Sequence, residues 1–90
     1  MRHCAVVKIV NRKGLHARAS AKIVEASARF SSQISVSREG QTVNGVSIMG
    51  LMMLGAGYGS EIEICTEGAD AAEALKALVA LAQARFGEED

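Results

Sequence analysis

Ninety residues with 49% hydrophobic content and no proline fit one compact domain, residues 1–90, with a modest core and no room for a second. Ten basic residues balance ten acidic ones, which argues against the basic stripe of a nucleic-acid-binding surface. The longest apolar stretch, Val46 to Gly57, is too short and too rich in glycine to span a bilayer, and Met1 to Val10 lacks the layout of a signal peptide, so the chain reads as cytoplasmic, with no membrane partner.

"CAVVKIV" (Cys4 to Val10) is short and β-branched and runs into the turn cluster Asn11 to Gly14, the pattern of a strand. With no secretory signal, Cys4 and Cys65 read as reduced packing residues, not as a disulfide. His3 beside Cys4 has no second ligand pair at zinc-like spacing, so it reads as part of a frayed N-terminus and no metal is expected. From Ala19 the apolar residues Ile23, Ala26 and Phe30 recur at helical spacing, with Lys22, Glu25 and Arg29 on another face. "QISVS" alternates, with Ile34 and Val36 on one side, and Arg38 to Gly40 turns the chain into "QTV" as a hairpin. Asn44 and Gly45 break the chain before "VSIMGLMML", where Ser47 predicts the N-cap of a short helix that "GAGYG" ends. "SEIEICT" alternates strictly, Ile62 and Ile64 inward and Glu61 and Glu63 outward. Asp70 followed by Glu73 predicts a capping box. Leu75, Leu78, Val79, Ala82 and Phe86 then form the stripe of a closing helix, and Glu88, Glu89 and Asp90 a frayed acidic tail. The order βαββαβα, with amphipathic strands, predicts an α+β open-faced sandwich: a mostly antiparallel four-stranded sheet with three helices on one face.

"KGLHARAS" (Lys13 to Ser20) sets a histidine at the entry to the first helix, with Arg18 two residues on. A helix N-terminus presents unpaired N–H groups and the positive end of the macrodipole, a ready site for phosphate. His16 there offers a ring nitrogen as nucleophile near neutral pH. Arg18 adds a permanent planar cation for phosphoryl oxygens, and Lys13 a more diffuse one. On this physics alone, a capping or surface histidine and a solvated helix arginine stay open as readings.

"GLHARAS" together with "NGVSIMGLMMLGAGYGSEIEI" resembles the phosphocarrier protein HPr family of the bacterial phosphoenolpyruvate-dependent phosphotransferase system. The resemblance implies a carrier and not an enzyme, without a cofactor. It also implies that His16 accepts a phosphoryl group on Nδ1 from the phosphohistidine of enzyme I and passes it to an enzyme IIA component, in sugar uptake or a regulatory phosphotransfer chain. Phosphoryl transfer has a loose transition state, so Arg18 and the N–H groups of Ala17 and Arg18 would act by positioning and electrostatics. The family's motif has proline after the arginine where this chain has Ala19. Alanine is a strong helix former, so the helix is expected to survive with a looser start.

The second motif is apolar around nearly its whole circumference, and a helix on a sheet buries one side. Leu51 and Leu54 are expected in the core, leaving Ile48, Met49 and Met52 as an exposed, adaptable patch for docking partners in turn. By the same resemblance, "SIMG" makes Ser47 the regulatory serine of proteins modified by HPr kinase/phosphorylase, although Val46 stands where many such proteins carry a basic residue. A phosphate on Ser47 would suit the helix dipole and place negative charge beside the patch, weakening docking without unfolding. A monomer is expected. The rival is a small-molecule-binding regulatory α+β domain without phosphotransfer; an RNA-binding domain fits less well, since aromatics are only 3% and stacking platforms are scarce.

Overall fold

A computed structural model describes residues 1–88. Four strands, β1 (Arg2–Lys8), β2 (Gln33–Arg38), β3 (Gln41–Asn44) and β4 (Glu61–Glu67), alternate with helices α1 (Ala17–Ser27), α2 (Ile48–Met53) and α3 (Ala71–Gln83). The sheet order is β1-β4-β2-β3, and every pairing is antiparallel. This is the expected α+β open-faced sandwich.

Alternation fixes which face of each strand is covered. Ile34 and Val36 of β2 and Ile62 and Ile64 of β4 are buried under the helices, while Glu61 and Glu63 point to the bare face. Helix α1 contributes Ala19, Ser20, Ile23, Ala26 and Ser27, a stripe recurring at three- and four-residue steps. Leu51 and Leu54 fill the core from α2 and its C-cap, and Leu78 and Ala82 from α3. The β2–β3 hairpin closes through Glu39 and Gly40, both with positive φ (49° and 84°), the twist-matched two-residue turn.

Several sequence-based expectations need correction. Asp70 holds the N-cap position of α3 but its side chain makes no capping hydrogen bond. Its carboxylate instead accepts from the N–H groups of Ser31 and Ser32 at 2.9 Å each and from Ser32 Oγ at 2.5 Å, tying the α1–β2 loop to the start of α3. Those bonds, the Ser32 hydroxyl first, hold the Asp70 carboxyl below its usual range. Phe86 is buried as expected, but from beyond α3: Arg85 and Phe86 take left-handed conformations (φ 58° and 55°) and reverse the chain after the helix. His3 lies inside β1, opposite Thr66, and is not frayed. Cys4 and Cys65, 61 residues apart, form a disulfide across β1 and β4, because the register sets them face to face, which strand patterning alone does not reveal.

Candidate functional site

The loop before α1 is held from three sides. Gly14 has φ 67°, and a Cβ there would lie 2.4 Å from the Ala56 carbonyl oxygen, so only glycine meets both demands. Leu15, buried, donates its N–H to the same Ala56 oxygen at 2.9 Å. Asn11 is fully buried, and its Nδ2 donates to the Gly14 carbonyl at 2.9 Å. The segment that presents His16 is thereby pressed against the loop that follows α2.

His16 is the N-cap residue of α1, with extended backbone (φ −80°, ψ −175°), and its side chain makes no capping hydrogen bond. Its carbonyl accepts the first helical bond, from Ser20 N–H at 2.9 Å. The early N–H groups of α1 therefore lack a side-chain acceptor from the cap, and no acidic residue occupies the first turn, so neither the cap nor the first turn itself neutralises the positive end of the helix, which favours an anion. Ala17 and Arg18 are exposed at this end, and Ala19 is buried with the helix intact around it.

The ring of His16 is committed elsewhere. Its Nε2 lies 2.5 Å from Glu88 Oε2, while the other carboxylate oxygen of Glu88 accepts from Asn11 Nδ2 at 3.0 Å. Glu88 was expected in a frayed tail. The reversal at Arg85 to Gly87 brings it back across the head of α1, where its side chain is 12% exposed against 29% for His16. Burial pushes the Glu88 carboxyl up, but the hydrogen bonds from His16 and Asn11 and the charges of His16 and Lys13 outweigh it, and the group sits below the ordinary carboxylate range. Sequence reading missed Glu88 and Asn11 because the contact spans 72 residues and follows no local period. The remainder of the expected tail, Glu89 and Asp90, lies outside the described residues.

Helix α2 carries the second cluster. Ser47 is its N-cap, and its hydroxyl accepts from Gly50 N–H at 3.0 Å. Leu51 is fully buried, whereas Ile48, Met49 and Met52 are exposed, Met49 at 71%. Met53, which the sequence reading did not single out, is exposed at 73% and extends the patch. The C-terminal end of α2 leads directly into the Gly55–Gly57 segment that buttresses the His16 loop, and Ser47 stands at the other end of the helix, about 9 Å along it. Arg38 steadies this end by donating to the Leu54 carbonyl at 3.1 Å.

Comparison with known proteins identifies the family. The family model described as "PTS HPr component phosphorylation site" covers residues 4–84. The chain belongs to the HPr phosphocarrier family. The phosphocarrier protein HPr of Cupriavidus necator is 52% identical over 80 residues, 89% of this chain and 90% of the relative. That of Neisseria meningitidis serogroup A is 50% identical over 82 residues, 91% and 92% of the two chains. A crystal structure of HPr-C-His from Thermoanaerobacter tengcongensis superimposes with a TM-score of 0.93 at 44% identity, covering 98% of this chain and 99% of that one. HPr proteins are phosphocarriers of the phosphotransferase system and not enzymes. Among the described residues, no helix is long and apolar enough to cross a membrane.

Proposed function

We propose that this chain receives a phosphoryl group on His16 Nδ1 from the phosphohistidine of enzyme I and hands it to an enzyme IIA component. The observation that carries the reading is the double environment of the ring: it stands at an uncapped helix start, and Glu88 occupies Nε2, so Nδ1 is the nitrogen left to attack. As the donor's P–N bond breaks, the P–Nδ1 bond forms. Nε2 keeps its proton, and the Glu88 carboxylate balances the positive charge of the phosphorylated ring. Transfer onward returns the electron pair to Nδ1, and no proton needs to move at His16 in either direction. Arg18 and the N–H groups of Ala17 and Arg18 supply donors for the equatorial oxygens.

Ile48, Met49 and Met52 form the docking surface for both partners, an adaptable apolar patch suited to successive complexes. Ser47 is the regulatory site for HPr kinase/phosphorylase: a phosphate there adds negative charge beside the patch and weakens docking of enzyme I. The chain acts as a monomeric domain of residues 1–90 in the cytoplasm, with neither nucleic acid nor membrane as partner. Incubation with enzyme I and phosphoenolpyruvate, followed by intact-protein mass spectrometry, is expected to show one added phosphoryl group, labile in acid and stable in base. A base-labile adduct, or one retained by His16→Ala, overturns the assignment.

A further inference from the structure

Cys4 and Cys65 face each other on the side of the sheet that carries no helix, and their sulfurs are bonded. The two halves of this bridge are not equivalent. Cys4 lies on the edge strand β1 and is exposed. Cys65 lies on the inner strand β4, is only 4% exposed, and has the Arg2 guanidinium donating to its Sγ at 3.4 Å. Glu63 lies on the same face with a carboxylate oxygen within 4.8 Å of both sulfurs, and Glu67 stands opposite Arg2 in the register.

Exchange at a disulfide depends on access to the sulfur attacked and on the stability of the thiolate that departs. Both factors select one direction here. An incoming thiolate reaches Cys4 Sγ from solvent, while Cys65 Sγ departs beside a permanent cation that stabilises negative charge on sulfur.

We propose that the Cys4–Cys65 bridge is a thiol–disulfide exchange site, at which a small-molecule thiol forms a mixed disulfide with Cys4 while Cys65 leaves as a thiolate held by Arg2. In that step the external sulfur bonds to Cys4 Sγ, and the electron pair of the Cys4–Cys65 bond leaves on Cys65 Sγ. A second thiolate of the same class then attacks the external sulfur of the mixed disulfide, releasing a small-molecule disulfide and the Cys4 thiolate. Two thiols thus supply the two electrons that reduce the bridge. A small-molecule disulfide runs the sequence backwards. The site fastens or frees the edge strand β1 at the end remote from the His16 loop.

Reduced glutathione is the probe for opening the bridge. The folded, oxidised chain is incubated with it without denaturant, quenched in acid and mapped by mass spectrometry. The first adduct is expected on Cys4, in about tenfold or greater excess over Cys65. With oxidised glutathione, Cys65→Ser should be labelled at Cys4 about tenfold faster than Cys4→Ser is labelled at Cys65. Arg2→Ala should slow opening several-fold, since it removes the cation beside the leaving sulfur. Circular dichroism checks that each variant is folded, and mapping of the unaltered chain depends on no variant. A bridge that opens only in denaturant, adducts shared evenly between the two cysteines, or an unchanged rate in Arg2→Ala overturns the proposal.

Discussion

The starts of α1 and α2 solve the same problem in opposite ways. At α2, Ser47 turns its hydroxyl onto the Gly50 N–H and satisfies the helix from within. At α1, His16 holds the same N-cap position but turns its ring away to Glu88, and the helix start has no side-chain acceptor from its cap. The difference teaches where stability and chemistry separate: a satisfied cap strengthens its helix, whereas an unsatisfied one keeps its donors for a ligand. The exposed start of α1 is tolerable because Asn11, Gly14 and Leu15 fix the preceding loop without help from the His16 side chain.

The largest expected effect tests the chemistry at α1. His16→Ala should lose all enzyme I-dependent phosphorylation, and the stability it loses should be that of the ring's bond to Glu88, fading as acid protonates that carboxyl, because the ring caps nothing. A denaturant melt that falls as far as that of a core variant would break the contrast. Leu51→Ala sets that core scale, with an expected loss of roughly 2–5 kcal/mol for a fully buried leucine. Ser47→Ala should come next, costing about 0.5–2 kcal/mol through the lost cap, in melts compared directly with His16→Ala. Should the cost of His16→Ala persist in acid as that of Ser47→Ala does, the assignment of opposite roles fails. Met49→Ala should be the mildest in stability, under about 1 kcal/mol, because the side chain is exposed. Titration with enzyme I should nevertheless show weaker binding by more than about 1 kcal/mol if Met49 lies at the centre of the interface.

Acid sharpens the same comparison by a different route. The Glu88 carboxyl is held below its ordinary value in the folded chain, so its contribution to stability is present above the unfolded carboxylate pKa and is lost as pH falls through the lower folded value. Asp70 carries the same sign through its bonds to Ser31 and Ser32. Acid titration followed by NMR of the two carboxyls should give midpoints below those of ordinary Asp and Glu. His16→Ala should raise the Glu88 midpoint and leave that of Asp70 in place.

Features with a local period were legible in the chain. The alternation around Ile62 and Ile64, the Ser47 cap and the split of α2 into buried Leu51 and exposed Met49 all follow from spacing of two or of three to four residues. What escaped reading depends on long-range placement. Asp70 and Glu73 have the spacing of a capping box, but the carboxylate of Asp70 finds better donors in Ser31 and Ser32, 39 and 38 residues earlier. Glu88 reaches His16 only because Arg85 and Phe86 adopt positive φ, a conformation their side chains do not announce. The pairing of Cys4 with Cys65 required the β1–β4 register, which a strand pattern leaves free.

The sheet order has a consequence for synthesis of the chain. β4 lies between β1 and β2, yet it is the last strand to leave the ribosome. Until Glu61–Glu67 has emerged, β1 has no neighbour at all, and only the β2–β3 hairpin can pair. Closing β1 against β4 then demands a loop of more than fifty residues, an entropic cost that local hairpin formation does not share. A nascent chain stopped just before Glu61 would hold the complete His16 stretch on a scaffold without its central strand. Phosphoryl-carrying competence therefore arrives late in translation, with the strand that lies farthest in sequence from β1.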